Sequence, residues 1–202
     1  MRRLRSRRRS CWLTVLVPLL LGVLASPGFA SEQDAGKAVA ADEVREEEGR
    51  VASSPVQIGI ANPLQAVPES WAIRGVRLGG FTRNAAVHGA DVGFVNSTAG
   101  HQSGFQGGFY NHVGGDLVGL QFGVTYSEAE GAVKGLQLSG ATNSAGSLRG
   151  GQVSAVNVAR EVRGAQLGVV NYAEDLSGVQ FGLLNVNRDG WIPILPLVNF
   201  GF

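Results

Sequence analysis

The 202-residue sequence contains a single cysteine, Cys11, so one chain cannot form an internal disulfide. Its fold must therefore be held by packing and hydrogen bonds alone. Charged residues are also scarce, at 16%, against a typical share of about 25%. Aromatic residues make up only 7%, but hydrophobic residues as a whole reach 44%. That hydrophobic content excludes a chain that is disordered throughout.

The first 30 residues differ in composition from the rest. Six arginines and no acidic residue precede the apolar run CWLTVLVPLLLGVLA, and small residues follow at Gly28 and Ala30. This order of basic, apolar and small residues predicts a signal peptide over residues 1–30, cleaved after Ala30. An uncleaved membrane anchor is the alternative. Pro18 interrupts the apolar run, however, and the run is shorter than the ~20 residues that a membrane span needs.

Cleavage after Ala30 would change the charge of the chain. It removes Cys11 and six arginines and leaves 11 basic and 16 acidic residues. A mature chain with a net negative charge is not expected to bind nucleic acid. Residues 31–53 contain seven acidic and three basic residues and no apolar face. We interpret them as a disordered acidic linker that precedes a β-repeat domain at residues 54–202.

Glycine is abundant, with 30 residues, and most of it belongs to a repeat. The unit Gly-x-Gln-x-Gly-x-x-Asn recurs eight times, and its first glycines are spaced 14 to 16 residues apart. A fixed period of this kind indicates a repeat architecture. The segments PVQIGIAN at 55–62 and IPILPLVN at 192–199 are interpreted as degenerate opening and closing copies, because end units of an array are atypical. The first glycines are Gly75, Gly89, Gly104, Gly119, Gly135, Gly150, Gly164 and Gly178.

Two polar positions recur in these units, and we predict that they form structural rows. Side-chain amides aligned along a row can donate to and accept from one another. In the first two units Arg77 and Asp91 replace the glutamine, and we predict that they pair. The Gln row consists of Gln106, Gln121, Gln137, Gln152, Gln166 and Gln180, and the Asn row consists of Asn96, Asn111, Asn157, Asn171 and Asn185.

Each unit alternates apolar residues with glycine and glutamine. This period of two predicts a β-strand, and short polar connectors such as NSAGS and NRDG predict turns between strands. No segment shows a helical period, so we predict an all-β domain of about ten strands. In the last unit Val179, Phe181 and Leu183 alternate with Gly178, Gln180 and Gly182.

Such strands can be assembled in two ways. The prediction is an antiparallel meander that closes as a small outer-membrane-type barrel, and the alternative is a β-solenoid with one repeat per coil. The barrel is favoured because only two of the 64 residues in the eight units are charged, as on a lipid-facing strand. The closing NFGF is also similar to the C-terminal signal of outer-membrane barrels, although Leu197 stands where that signal has glycine. Against the barrel, the apolar band spans only ~13 Å where ~25 Å is needed.

The tandem phrases GLQFGVTY, GAQLGVVN and GVQFGLLN, with the closing WIPILPLVNFGF, resemble a known family. They are similar to the spirochaete-type surface-repeat proteins of exported bacterial families, and the likeness covers residues 55–202. The resemblance implies a location at the cell surface or in the outer membrane. It implies no reaction and assigns no functional residue.

No residue pattern in the sequence predicts catalysis, and none predicts a metal or cofactor site. His88, His101 and His112 lie at different phases of the repeat, whereas a zinc site needs clustered ligands. We therefore predict an exported, non-enzymatic protein with a structural or pore-like role in the outer membrane or at the cell surface. Its expected partner is the membrane, with no nucleic acid, cofactor or small-molecule ligand. The alternative is a secreted β-solenoid that acts as an adhesin or binding scaffold.

Overall fold

The computed structural model describes residues 51–61 and 64–202. The predicted signal peptide (1–30) and nearly all of the predicted linker (31–53) lie outside the described residues. Within the described part the chain forms strands and no helix, which confirms the all-β prediction. The strands are β1 (Ser53–Ala61), β2 (Leu64–Gln65), β3 (Ala72–Asn84), β4 (Ala86–Thr98), β5 (Gln102–Val113), β6 (Leu117–Ser139), β7 (Thr142–Val153), β8 (Val156–Leu167), β9 (Val170–Asn187) and β10 (Ile194–Gly201).

All ten strands form one sheet in the order β10-β9-β8-β7-β6-β5-β4-β3-β1-β2. Every neighbouring pair from β3 to β9 is parallel, and β1 is parallel to β3. The predicted antiparallel barrel is therefore wrong, and the chain forms the alternative β-solenoid with one repeat per coil. The physical reason is the register, which places Gln152 beside Gln166 and Gly150 beside Gly164. Parallel stacking gives each buried amide an identical partner, which an antiparallel meander cannot do at every step.

Each coil bends at three places and so has three straight sides. Backbone pairing between β3 and β4 skips Gly80 and Phe94, five residues after the first glycine. Pairing between β8 and β9 skips Arg160 and Glu174, ten residues after the first glycine of the preceding unit. The third bend lies at the first glycine itself. Strand β6 continues through such bends, so that it contributes to two successive coils.

The first glycine of every unit is required by its backbone geometry. All eight have a positive φ, between 106° and 155°, a region that residues with a Cβ rarely adopt. A Cβ built on Gly164 would overlap the carbonyl oxygen of Gly150 in the preceding coil, and the same clash recurs along the stack. The repeat of glycine is therefore a consequence of close backbone contact between coils.

Two apolar rows, which the sequence analysis did not identify, complete the coil interior. They come from segments that were interpreted as turns and that continue the strands instead. The first row lies two residues before the first glycine, and the second lies near the end of the coil. Their buried members are Ile73, Val87, Leu117, Val133, Leu148, Val162 and Leu176 in the first row, and Val113, Ala129, Ala145, Ala159 and Ala173 in the second.

The two ends of the stack depart from the parallel pattern. The opening copy follows the prediction, since Gln57 lies beside Arg77 in a parallel pair. The closing copy does not, because β10 runs antiparallel to β9 and places Asn199 beside Gln180. Asn199 therefore joins the Gln row, and not the Asn row as its repeat position implied. Antiparallel strands at both ends interrupt the pattern on which another parallel coil would add.

Candidate functional site

The Gln row forms a continuous ladder inside the coils. Each glutamine side chain is fully buried, and from Gln121 onwards its Nε2 donates to Oε1 of the glutamine in the preceding coil. The five hydrogen bonds from Gln106 to Gln180 measure 2.7 or 2.8 Å. The second Nε2 proton reaches a backbone carbonyl of the same coil, as in the 3.1 Å bond from Gln137 to Ser144. Both donor protons of these amides are thus used inside the protein.

The charged pair terminates this ladder at its N-terminal end. Gln106 Nε2 donates to Asp91 Oδ2 at 2.9 Å, and Arg77 Nε donates to Asp91 Oδ1 at 2.7 Å. Arg77 and Asp91 are fully buried, and Arg77 also donates to the Ser97 carbonyl at 2.9 Å and to Thr98 Oγ1 at 3.2 Å. Every amide therefore directs the positive end of its dipole towards the carboxylate of Asp91. The structure brings the two residues together as a structural pair.

The Asn row forms a second ladder with the opposite polarity. Here Nδ2 of each asparagine donates to Oδ1 of the asparagine in the following coil, at 2.9 Å from Asn96 to Asn111. The row is continued by Asn143, which donates to Asn157 at 3.1 Å. Asn143 lies one residue beyond the slot expected from the repeat, and it was therefore absent from the predicted Asn row. An asparagine only one residue from the slot was the signal that could have placed Asn143 in the row. Further bonds of 2.8 Å join Asn157 to Asn171 and Asn171 to Asn185.

The Asn row has one interruption within the described residues. Ser127 occupies the position between Asn111 and Asn143 in the stack. Its hydroxyl is too short to span the gap, and neither Ser127 Oγ nor Asn143 Oδ1 has a hydrogen-bond partner. At the C-terminal end of the Gln row, Gln180 Oε1 and Asn199 Nδ2 are likewise buried without partners. These four unsatisfied groups lie where a ladder is broken or ends.

The apolar residues that alternate with the Gln row point outwards. We define the apolar face as the side of the solenoid formed by the first, third and fifth residues after each first glycine. All 24 of these residues are Val, Leu, Phe, Ala or Gly, so the side chains carry no hydrogen-bonding group. Many are well exposed, among them Phe94 at 53%, Val124 at 54% and Leu183 at 67%. The protein therefore buries amides and exposes hydrocarbon along the same strands.

Aromatic side chains form an uneven region on the apolar face. The rings of Phe94 and Phe109 stack with centroids 5.0 Å apart, and Phe81 contacts Phe94 at 5.9 Å. A shallow groove of about 480 Å³ opens between these rings and their neighbours, and the ring of Phe105 lies against Gly107 within it. The groove is lined by Val92, Gly93, Phe94, Phe105, Gly107, Gly108, Phe109, Phe122 and Val124.

The two edges of the apolar face differ in charge. The basic column, which we define as Arg74, Lys134, Arg149 and Arg163, lies one residue before the first glycine of its units, and all four are exposed. Within the described residues none of them has a carboxylate within 4.0 Å.

The other edge carries stacked tyrosines. The rings of Tyr110 and Tyr126 lie 5.0 Å apart. Burial, and secondly the charge of Glu128, raise the pKa of both phenols. Both phenols are therefore neutral at ordinary pH, and the charge beside them is the negative charge of Glu128.

The three histidines bond separately to neighbouring coils. His88 Nδ1 lies 2.8 Å from Ser103 Oγ, His101 Nδ1 accepts from the Asp116 backbone at 2.9 Å, and His112 Nε2 lies 3.1 Å from Glu130. Across residues 51–61 and 64–202, no group of three or more His, Cys, Asp or Glu side chains could hold a metal ion. In the same range no helix is long and apolar enough to cross a membrane.

Comparison with protein-family models, with curated proteins and with solved structures finds no match. The resemblance to spirochaete-type surface-repeat proteins therefore stays a prediction from the repeat phrases. What can be said about function comes from the geometry of the coils and from their apolar face.

Proposed function

We propose that the protein is exported and acts at the outer membrane or cell surface as a non-enzymatic scaffold that presents its apolar face for binding. The observation that carries the proposal is the apolar face itself, whose 24 positions hold no polar side chain. A contiguous exposed apolar surface on a folded protein is typical of an interaction site. The leader-like residues 1–30 support export.

The polar residues of the interior support a scaffold and not an enzyme. The Gln row, the Asn row and the Arg77–Asp91 pair are buried and bonded mainly to one another. A substrate would have to separate the coils to reach them. The pore-like form of the predicted role required a barrel with a lumen, and we do not propose it for a solenoid whose interior is filled by side chains.

A secreted adhesin or binding scaffold is the second candidate. The aromatic rings around the shallow groove at Gly107 favour it, because aromatic side chains are enriched at protein-binding surfaces. In that role the protein would leave the cell and bind its target through the aromatic rings of Phe94, Phe105 and Phe109.

Fractionation of cells that express the chain with its own leader tests the proposal. We expect a mature form that begins at Ser31 and that is found with the envelope, and a Leu20→Arg variant with a disrupted apolar run should stay unprocessed. Mature protein in the medium would favour the secreted scaffold. Unprocessed protein in the cytosol would contradict both candidates.

A further inference from the structure

We propose that the apolar face lies on an anionic phospholipid membrane, with the face against the acyl chains and the basic column against the headgroups. This inference rests on the proposed scaffold function and names the partner of the same face. It concerns a protein that lies in the plane of the interface and does not span it.

The extent of the apolar face is sufficient for partition into a membrane. Eight coils stacked about 4.8 Å apart, with outward residues over about 13 Å, give a projected area of roughly 500 Å². Exposed apolar residues of the two end strands extend the face further, namely Val56, Ile58, Val198 and Phe200. Partition of amphipathic surfaces into a bilayer grows with the apolar area.

The uneven surface of the apolar face also favours a membrane as its partner. Its central column changes from Gly107 to Phe122 within one coil, and the side chain of Phe122 is 46% exposed. A protein partner would have to match these elevations and hollows, since interfaces pack as densely as protein interiors. Fluid acyl chains fill the groove at Gly107 without a complementary shape.

The charge along the edge selects anionic lipid. Lys134, Arg149 and Arg163 lie in register in three successive coils, so that three cations are stacked with no carboxylate of the described residues within 4.0 Å. Their long side chains can reach headgroups while the adjacent apolar residues enter the acyl region. Each such cation near a membrane surface strengthens binding to anionic lipid about fivefold.

A site-specific fluorophore tests the inference on the full chain. In a Cys11→Ser background, an environment-sensitive dye is attached at Leu167→Cys on the apolar face, or at Asp175→Cys at the corner between the other two sides. With vesicles of phosphatidylcholine and phosphatidylserine, the dye at 167 should shift to shorter wavelength and the dye at 175 should not. Because the readout reports one position, membrane binding by the leader alone does not reproduce it.

Charge variants sharpen the experiment. Replacing Lys134, Arg149 and Arg163 together by Gln should weaken partition onto anionic vesicles about 100-fold. The matched control replaces Arg83, Arg160 and Arg188 by Gln. It removes the same charge from other parts of the coil and should weaken partition less than tenfold. Equal losses in the two triple variants would overturn the role of the basic column.

Two results would overturn the inference as a whole. One is an unchanged spectrum at position 167 with anionic vesicles present. The other is a shift at position 167 without vesicles, together with a doubled mass in light scattering, which would assign the face to a second copy. Neither result depends on the cell fraction or on processing at Ser31. Failure of this inference is therefore distinguishable from failure of the proposed export and scaffold role.

Discussion

The Gln row and the apolar face are made by the same strands, yet on this side of the coil the polarity is the reverse of that in an ordinary globular domain. Gln106 and its equivalents are fully buried, whereas Phe94 and Leu183 are more than half exposed. Stacking in register explains the buried half of this contrast. An isolated buried amide costs about 1–3 kcal/mol, but in a ladder each amide satisfies the next and only the ends are left over. Stacking does not explain why the apolar side chains are exposed, and we therefore connect these side chains with binding.

The largest expected effect concerns the charged end of the Gln row. Asp91→Asn removes the carboxylate and leaves Arg77 buried without its counter-ion, which should lower the free energy of unfolding by about 3–5 kcal/mol. The double variant Arg77→Gln, Asp91→Gln extends the ladder with uncharged amides and should recover most of that loss. Urea denaturation of the three proteins measures the difference. If Asp91→Asn unfolds at the wild-type midpoint, the interior does not depend on satisfied polar groups.

Two adjacent glycines allow a position in contact with the preceding coil to be compared with a position on the outer surface. Gly150→Ala forces a side chain into positive φ and against the Gly135 carbonyl, and should cost about 3 kcal/mol or more. The methyl group of Gly151→Ala points outwards, as does that of its neighbour in register Ala165, and it displaces only the exposed end of the Leu136 side chain. It should cost less than about 1 kcal/mol. Equal losses of thermal stability in the two variants would contradict the assignment of inner and outer positions.

The next pair compares an amide with its apolar neighbour. Gln152→Ala removes the donor to Gln137 and the acceptor for Gln166, and should cost about 2–3 kcal/mol because buried groups lose their partners. Val153→Ala, one residue further, changes a side chain that is 40% exposed and should cost under about 1 kcal/mol. The two variants are compared by their denaturation midpoints. If the residues of the apolar face formed the core, Val153→Ala would be the more destabilising of the two.

The smallest expected effect is an increase in stability. Ser127→Asn should close the break in the Asn row, with its Nδ2 donating to the unpartnered Oδ1 of Asn143 and its Oδ1 accepting from Asn111. We expect stabilisation of about 1 kcal/mol, measured by differential scanning calorimetry. Ser127→Ala is the control and should be close to neutral, since the hydroxyl that it removes has no partner. A loss of stability in Ser127→Asn would show that the ladder does not continue through this coil.

The sequence predicted the strands and the two polar rows, but it left their topology open. Alternation of Val179 and Phe181 with Gln180 fits a parallel coil and an antiparallel hairpin equally well. Only the pairing partner of Gln180 distinguishes the two. The scarcity of charge favoured the lipid-facing barrel, because an uncharged outer face is unusual for a solenoid. The structure shows the solenoid with that unusual face.

The apolar interior rows were missed for a different reason. The connector NSAGS, at residues 143–147, reads as a turn, although it continues strand β7 and its Ala145 is buried. The coils bend at single residues, so polar outward residues alternate with apolar inward residues close to each bend. Such segments contain no hydrophobic run that would identify them as strands. The extra residue before Asn143 shifted that asparagine out of its expected slot in the same way.

Distances between spin labels on the apolar face test the stacked arrangement most directly. In a Cys11→Ser background, labels at Val92 and Val153 are separated by four coils, and labels at Val92 and Phe181 by six. At about 4.8 Å per coil, the mean distances should be about 19 Å and 29 Å. Labels that lie outside on every coil should also remain mobile, as side chains on an exposed face do. Distances that fail to increase with the number of coils, or labels held rigid in a packed interior, would contradict a parallel solenoid with amides inside and hydrocarbon outside.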